Sequence, residues 1–258
     1  MLKLSANLSL LFPELPCLER IAAAAAAGFA AVEIQFPYDW DRAGLKQALQ
    51  DQQLPLVLIN LPAGDLMQGG PGLACVPGRS DDFAAALHTA CLWAEDLHVP
   101  QVNILAGRRL GAEFAEEQER LLIRQVKLAC RQLQSLGVGV CVEAINSFDM
   151  PHFFIDSLER LQRLLVAVDE PNLTMQLDVY HLRRMGEDIT AVLRRHSAHT
   201  GHIQFADEPG RGAPGSGTID WPAFFALLRE LPYQGYCGAE YRVLNGDTAA
   251  TLGWMPAR

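Results

Sequence analysis

Three acidic side chains stand at the ends of short apolar runs in this 258-residue chain, and their matched placement is its strongest chemical signal. Residues 137–151 begin with small and β-branched apolar residues, the pattern of a strand buried on both faces. That run gives out at Glu143, and Asn146 and Asp149 follow in a loop closed by Pro151. Residues 172–178 end in the same way at Asp178, and residues 235–240 at Glu240. A charge at the end of a buried strand is costly unless it is paired or bound to a metal. Three of them at the same end of a parallel sheet point to one oxygen-rich site. Between the last two lies an apolar stretch carrying His202 and Gln204, which strand alternation puts on one face. Gln204 would complete a set of four oxygen donors. Crowded carboxylates repel one another without a cation, so a divalent metal is the natural resolution. All-oxygen ligation favours Mg²⁺ or Mn²⁺, whereas histidine or thiolate ligands would favour zinc. For any one of these acids alone, a salt bridge or a solvated strand end is an equally good account.

Two further side chains could meet a substrate. His181, three residues after Asp178, could reach a substrate oxygen from just past the strand end, or could simply cap a helix. Arg211 lies in a glycine- and proline-rich loop, where a guanidinium can clasp a carboxylate in bidentate fashion or serve as a plain surface charge. Residues 62–79, with five glycines and three prolines, form a long connection of the kind that often serves as a lid.

Positioning such residues takes eight strands with helices between them. Strands are predicted at 2–7, 30–35, 54–61, 100–105, 139–143, 173–178, 201–206 and 235–240. Helices are predicted at 14–28, 41–53, 80–98, 111–136, a stretch ending at 168, 188–197 and 220–231. Ser80 and Asp156 read as N-caps, and Gly28 as a C-terminal stop. No linker and no change of composition interrupts the alternation. The architecture implied is an α/β fold, a single-domain (β/α)8 TIM barrel over residues 1–258, with its site at the C-terminal ends of the strands. A doubly wound open sheet would be expected to carry a glycine-rich turn after the first strand, and residues 8–13 contain no glycine.

Composition narrows the partners. A formal charge of −9 argues against nucleic acid or an anionic membrane surface. No apolar run is long enough to span a bilayer, and the N-terminus reads as a strand rather than a signal peptide. The six cysteines are scattered with no Cys-x-x-Cys pair, which suits reduced thiols and a cytoplasmic location.

Along essentially its whole length the chain resembles the hydroxypyruvate isomerase family, including its 2-oxo-tetronate isomerase branch, within the xylose-isomerase-like barrel superfamily. The likeness is carried by residues 6–9, 36–39, 60–65 and 77–79, then by 142–146, 176–181, 202–211, 238–241 and 252–254. The resemblance implies that Glu143, Asp178, Gln204 and Glu240 bind the divalent cation and that Glu143 and Glu240 form the acid/base pair. It also implies that Asp149 and His181 contact substrate. Related ketose epimerases use a histidine on strand seven as a ligand, so Gln204 sides with the hydroxypyruvate isomerases. Two departures bear on substrate. The lid reads Gln68-Gly-Gly-Pro-Gly where the family often has a Glu-Arg pair, and Tyr241-Arg-Val follows Glu240 where Tyr-Lys-Pro is usual.

The reaction this implies is aldose–ketose-type isomerisation of a small hydroxy-oxo acid, such as hydroxypyruvate to tartronate semialdehyde, through an enediolate. Arg211, with His181, would receive the substrate carboxylate. A ketose 3-epimerase, an inosose-type dehydratase and a non-catalytic sugar-acid binding protein are the alternatives on the same scaffold. A zinc endonuclease is disfavoured by the few histidines and the acidic charge. A homodimer is a family-level expectation.

Overall fold

A computed structural model describes residues 2–255; the outermost ends of the expected 1–258 domain, residue 1 and residues 256–258, lie outside the described residues. The strands are β1 (Lys3–Asn7), β2 (Ala31–Ile34), β3 (Leu56–Asn60), β4 (Gln101–Asn103), β5 (Gly139–Glu143), β6 (Leu173–Asp178), β7 (Thr200–Phe205) and β8 (Tyr236–Ala239). The helices are α1 (Glu19–Ala27), α2 (Arg42–Gln52), α3 (Ser80–Asp96), α4 (Ala115–Gln134), α5 (Leu158–Val168), α6 (Val179–Arg184), α7 (Ile189–His196) and α8 (Trp221–Glu230). The strands follow one another in chain order around a closed sheet, the (β/α)8 barrel expected from the sequence. Packing divides the chain into two compact units, residues 1–58 with 177–258 and residues 59–176.

In the first unit β1 is central. It pairs in parallel with β2, Asn7 opposite Glu33, and with β8, Ala6 opposite Ala239, while Gln204 of β7 lies opposite Gly238 of β8. Its short strands are buried almost throughout, so they read as near-continuous apolar runs. Alanine-rich α1 stops at Gly28, whose left-handed φ of 96° lets its N–H reach the carbonyls of Ala24 and Ala25. Asp188 and Asp220 cap α7 and α8 by accepting from Ala191 N at 3.1 Å and Ala223 N at 3.0 Å.

The second unit pairs β3 with β4, β4 with β5 and β5 with β6, placing Asn60 opposite Asn103 and Glu143 opposite Gln176. Its longest helix, α4, turns Leu121, Leu122, Val126, Ala129, Cys130 and Leu133 inward at helical spacing. Residues 62–79 are folded down on themselves: Leu66 and the run from Leu73 to Val76 are buried, and Asp65 Oδ1 accepts from Gly72 N at 3.0 Å.

The structure corrects several expectations about element ends. Helix α3 begins at Ser80 itself, with Arg79 in the cap position and no side-chain cap; Arg79 instead bonds Asp82 in the first turn. Ser157, not Asp156, caps α5, accepting from Arg160 N at 3.3 Å. Asp156 is drawn off by two arginines, Arg109 at 2.7 Å and Arg160 at 3.2 Å. The first helix starts at Glu19 rather than at residue 14, because Pro13 and Pro16 keep the preceding residues in turns. Helix α6 is an addition, since the six residues after Asp178 read as loop in the sequence.

Candidate active site

Each sequence-predicted acid is where the strand pattern put it. Glu143 and Asp178 are the last residues of β5 and β6, Glu240 follows β8 directly, and Gln204 is the last residue but one of β7. All four are buried, between 3% and 6% exposed. Water therefore does little to solvate their charges, and neighbouring groups must do so.

In the first unit Glu240 is held by amide donors. Its Oε1 accepts from Asn7 Nδ2 at 3.0 Å and from Gln35 Nε2 at 2.7 Å. The Arg211 guanidinium bonds Glu240 Oε2 and lies 3.3 Å from Asp178 Oδ2, so one cationic group is shared by both carboxylates. Burial pushes the pKa of Asp178 above the usual carboxylate range, with Arg211 opposing the shift. Burial raises Glu240 likewise, Arg211 again opposing and the charges of Asp178 and Glu33 adding to the rise. Asp178 also accepts from Tyr180 N at 2.8 Å, which starts α6 and brings His181 Nε2 to 3.5 Å from Asp178 Oδ2. His181 is thus in place beside the strand-six acid, and the Tyr180 ring lies 5.3 Å beneath the Arg211 guanidinium.

Arg211 is aimed by the loop between β7 and α8. Its backbone is left-handed, φ 56°, and its carbonyl accepts from Arg242 N at 2.8 Å. The loop closes around Asp207, a buried carboxylate that accepts from Glu208 N, Gly215 N and Ile219 N at 2.9, 2.8 and 3.2 Å and from Trp221 Nε1 at 2.8 Å. Burial alone would raise the Asp207 pKa, but these donors outweigh it and hold the carboxyl below its ordinary value.

In the second unit Glu143 Oε1 accepts from Asn103 Nδ2 at 2.8 Å, and the same nitrogen donates to Asn60 Oδ1 at 3.1 Å. Asn103 Oδ1 is buried and has no hydrogen-bond partner among the described residues. Asn146 spends its side chain on its own loop, accepting from Phe148 N at 3.1 Å and Asp149 N at 2.9 Å and donating to Asp149 Oδ2 at 3.1 Å. Asp149 is exposed at the tip of that loop. Along the sheet Glu143 faces Gln176 in register.

Sequence reasoning missed a second set of polar groups: buried Asn7 and half-buried Gln35 around Glu240, buried Asn60 and Asn103 around Glu143, and buried Glu33 in the middle of β2. The signal for Glu33 was a lone acid inside the apolar run from Ala31 to Ile34. As a donor set, carboxylates with one amide oxygen suit a hard divalent cation, and the Asp178–Glu240 pair already neutralises a positive group. No helix among the described residues is long and apolar enough to cross a membrane.

The chain matches the family model described as xylose isomerase-like TIM barrel over residues 21–258. It is 36% identical to the hydroxypyruvate isomerase of Escherichia coli, over 99% of this chain and 98% of that protein. It is 35% identical to the 2-oxo-tetronate isomerase of Cupriavidus necator, over 98% and 97% of the two chains. Among solved structures, one from Brucella melitensis described as an AP endonuclease of family 2 superposes with a TM-score of 0.94 at 34% identity, each chain covered to 98%. A D-allulose 3-epimerase from Methylomonas, 18% identical with a TM-score of 0.82 over 98% of this chain and 95% of its own, shares the fold. With full-length relatives at these identities and the barrel family model matched over most of its length, the chain belongs to the hydroxypyruvate isomerase family of xylose isomerase-like TIM barrels and is an isomerase.

Proposed function

We propose that this isomerase is a metal-dependent intramolecular oxidoreductase acting on a small hydroxy-oxo acid, hydroxypyruvate or 2-oxo-tetronate. The observation that carries the reading is Arg211 bonded to the buried Asp178 and Glu240, a fixed guanidinium beside an acid suited to proton transfer. A substrate bearing a carboxylate next to a carbonyl matches that pairing, and the names of the E. coli and Cupriavidus relatives favour the same substrate class.

Glu143, Asp178, Gln204 and Glu240 are the residues that would hold a divalent cation, Mg²⁺ or Mn²⁺. When bound, such an ion polarises the substrate carbonyl and acidifies the neighbouring C–H. The chain's own residues do the rest. One of Glu143 and Glu240 takes a proton from the hydroxymethyl carbon of hydroxypyruvate, and the other delivers a proton to the former carbonyl carbon. With the hydroxyl proton passing to the new alcohol oxygen, the product is tartronate semialdehyde and no atom is gained or lost. Burial suits Glu240 to this work, because a carboxyl with a raised pKa gives up and regains a proton nearer neutrality. Arg211 and His181 orient the substrate carboxylate, Asn146 and Asp149 border the substrate from the loop after β5, and residues 62–79 keep water out.

The endonuclease description of the Brucella structure does not suit this chain, whose formal charge of −9 and oxygen-donor set disfavour a phosphate backbone and zinc. Six free cysteines accord with a cytoplasmic location, and a homodimer belongs to the same reading. Proton NMR in D₂O tests it: metal-stripped protein is given hydroxypyruvate, then 2-oxo-tetronate, before and after Mg²⁺ or Mn²⁺. Metal-dependent conversion with deuterium entering the product is expected. Binding without exchange for both acids would overturn the isomerase assignment to these substrates.

A further inference from the structure

Beneath Glu240 and Gln204 lies a buried hub that the proposed chemistry does not use. Its centre is Glu33 on β2, with no exposed surface. Oε1 accepts from Gln204 Nε2 at 2.7 Å and from Asn7 Nδ2 at 3.0 Å; Oε2 accepts from Ser5 Oγ at 3.0 Å and pairs with His202 Nε2 at 2.7 Å. Every one of these partners lies on β1 or β7, in the same unit as Glu33 itself on β2. The fourth wall is Gly238 of β8, where an added Cβ would collide with the Glu33 carboxylate.

An ionised carboxylate only accepts hydrogen bonds, whereas an amide has an NH₂ on one side and an oxygen on the other. Gln204 must therefore turn its nitrogen to Glu33 and its oxygen away. The same holds for Asn7, whose amide nitrogen bridges Glu33 and Glu240. Resting on the metal assignment above, we propose that Glu33 is a positioning residue that fixes the amide orientation of Gln204, so that the oxygen of Gln204 is presented for cation binding, and that steadies Glu240 through Asn7.

The substitutions Glu33→Gln and Glu33→Leu separate this role from a general need for charge. A glutamine at 33 can point its amide oxygen at Gln204 and Asn7 and its NH₂ at Ser5 and a neutral His202, keeping the orientation of Gln204 without the charge. A leucine removes every acceptor. Mn²⁺ binding, followed by calorimetry and electron paramagnetic resonance without substrate, should stay within about threefold of the unaltered chain for Glu33→Gln and weaken at least tenfold for Glu33→Leu. Equal weakening in both, or no change in Glu33→Leu, overturns the proposal and leaves the metal assignment standing. An unaltered chain that binds no Mn²⁺ overturns both. Should Glu33→Leu fail to fold, the side-chain amide of Gln204 in ¹⁵N-labelled unaltered protein decides. Its protons should exchange with solvent at least 100-fold more slowly than those of the exposed Gln52; exchange at the same rate overturns the proposal.

Discussion

Replacing Glu240 by glutamine is the sharpest separation of chemistry from architecture that the site allows. Glu240 Oε1 takes amide donors from Asn7 and Gln35, while Oε2 faces Arg211. A glutamine with its oxygen toward Asn7 and Gln35 keeps both bonds and turns its NH₂ toward the guanidinium. One ion pair is lost. In exchange the chain no longer holds a carboxylate that burial disfavours and that the charges of Asp178 and Glu33 oppose. These effects run in opposite directions, and although removing one partner of a buried ion pair can cost about 3–5 kcal/mol, Arg211 keeps Asp178 as its partner, so a change of about 1 kcal/mol of either sign is expected. That is roughly 2–4 °C in Tm for a chain of this size. Turnover responds on another scale. An amide can neither take up nor pass on the proton, and a positioned acid–base group contributes about 10²–10⁴-fold, or roughly 3–5 kcal/mol of barrier at 1.36 kcal/mol per decade. Hydroxypyruvate consumption followed by NMR in Mg²⁺ buffer, with a melting curve on the same sample, reads both quantities. Unaltered turnover in Glu240→Gln would refute its acid/base role. A Tm fall of more than about 10 °C would refute the hydrogen-bond account of why the fold survives.

Asp207→Asn leaves one oxygen to serve the donors that now share two, and should cost about 2–4 kcal/mol of stability while raising KM more than it lowers kcat, because the loop that aims Arg211 loosens. Acid titration gives the sign. The folded Asp207 pKa lies below its unfolded value, so its contribution is complete above about pH 4 and is lost as pH falls through the folded value; a melting series below pH 4 should be flatter for the variant, and parallel curves would exclude this role. Asn103→Ala removes the 2.8 Å donor to Glu143 and its link to Asn60. We expect a loss of about 1–3 kcal/mol and a fall in kcat with KM nearly unchanged; a change confined to KM would place Asn103 on the substrate instead.

The barrel was legible because most of its strands are short apolar runs that give out at a polar residue, and Glu143, Asp178 and Glu240 stop three of them on cue. Element ends were less legible. Ser80 and Asp156 are both good caps by type, yet the backbone turns helical one residue away from where either would serve, and Asp156 is claimed by Arg109 and Arg160 from elsewhere in the chain. Helix α6 escaped because six residues are too few to show a period. Residues outside the barrel, His181 and Arg211, were found by residue type and loop composition, but nothing in the sequence says that the loop holding Arg211 closes on Asp207. Glu33 was hidden for a different reason. An acid within a four-residue apolar run looks like an interruption, and only the three-dimensional sheet reveals Ser5, Asn7, His202 and Gln204 converging on it.

The glycine at 238 gives that hub an epistatic character. A side chain there would evict the Glu33 carboxylate, while loss of Glu33 would leave four polar groups without their common acceptor and a space that an alanine at 238 could begin to fill. Positions 33, 202, 204 and 238 therefore form a block in which single changes are penalised and compensated combinations are tolerated. A mutagenesis library aimed at new substrates would do best to hold this floor fixed and diversify the loops above it, or to recode all four positions at once.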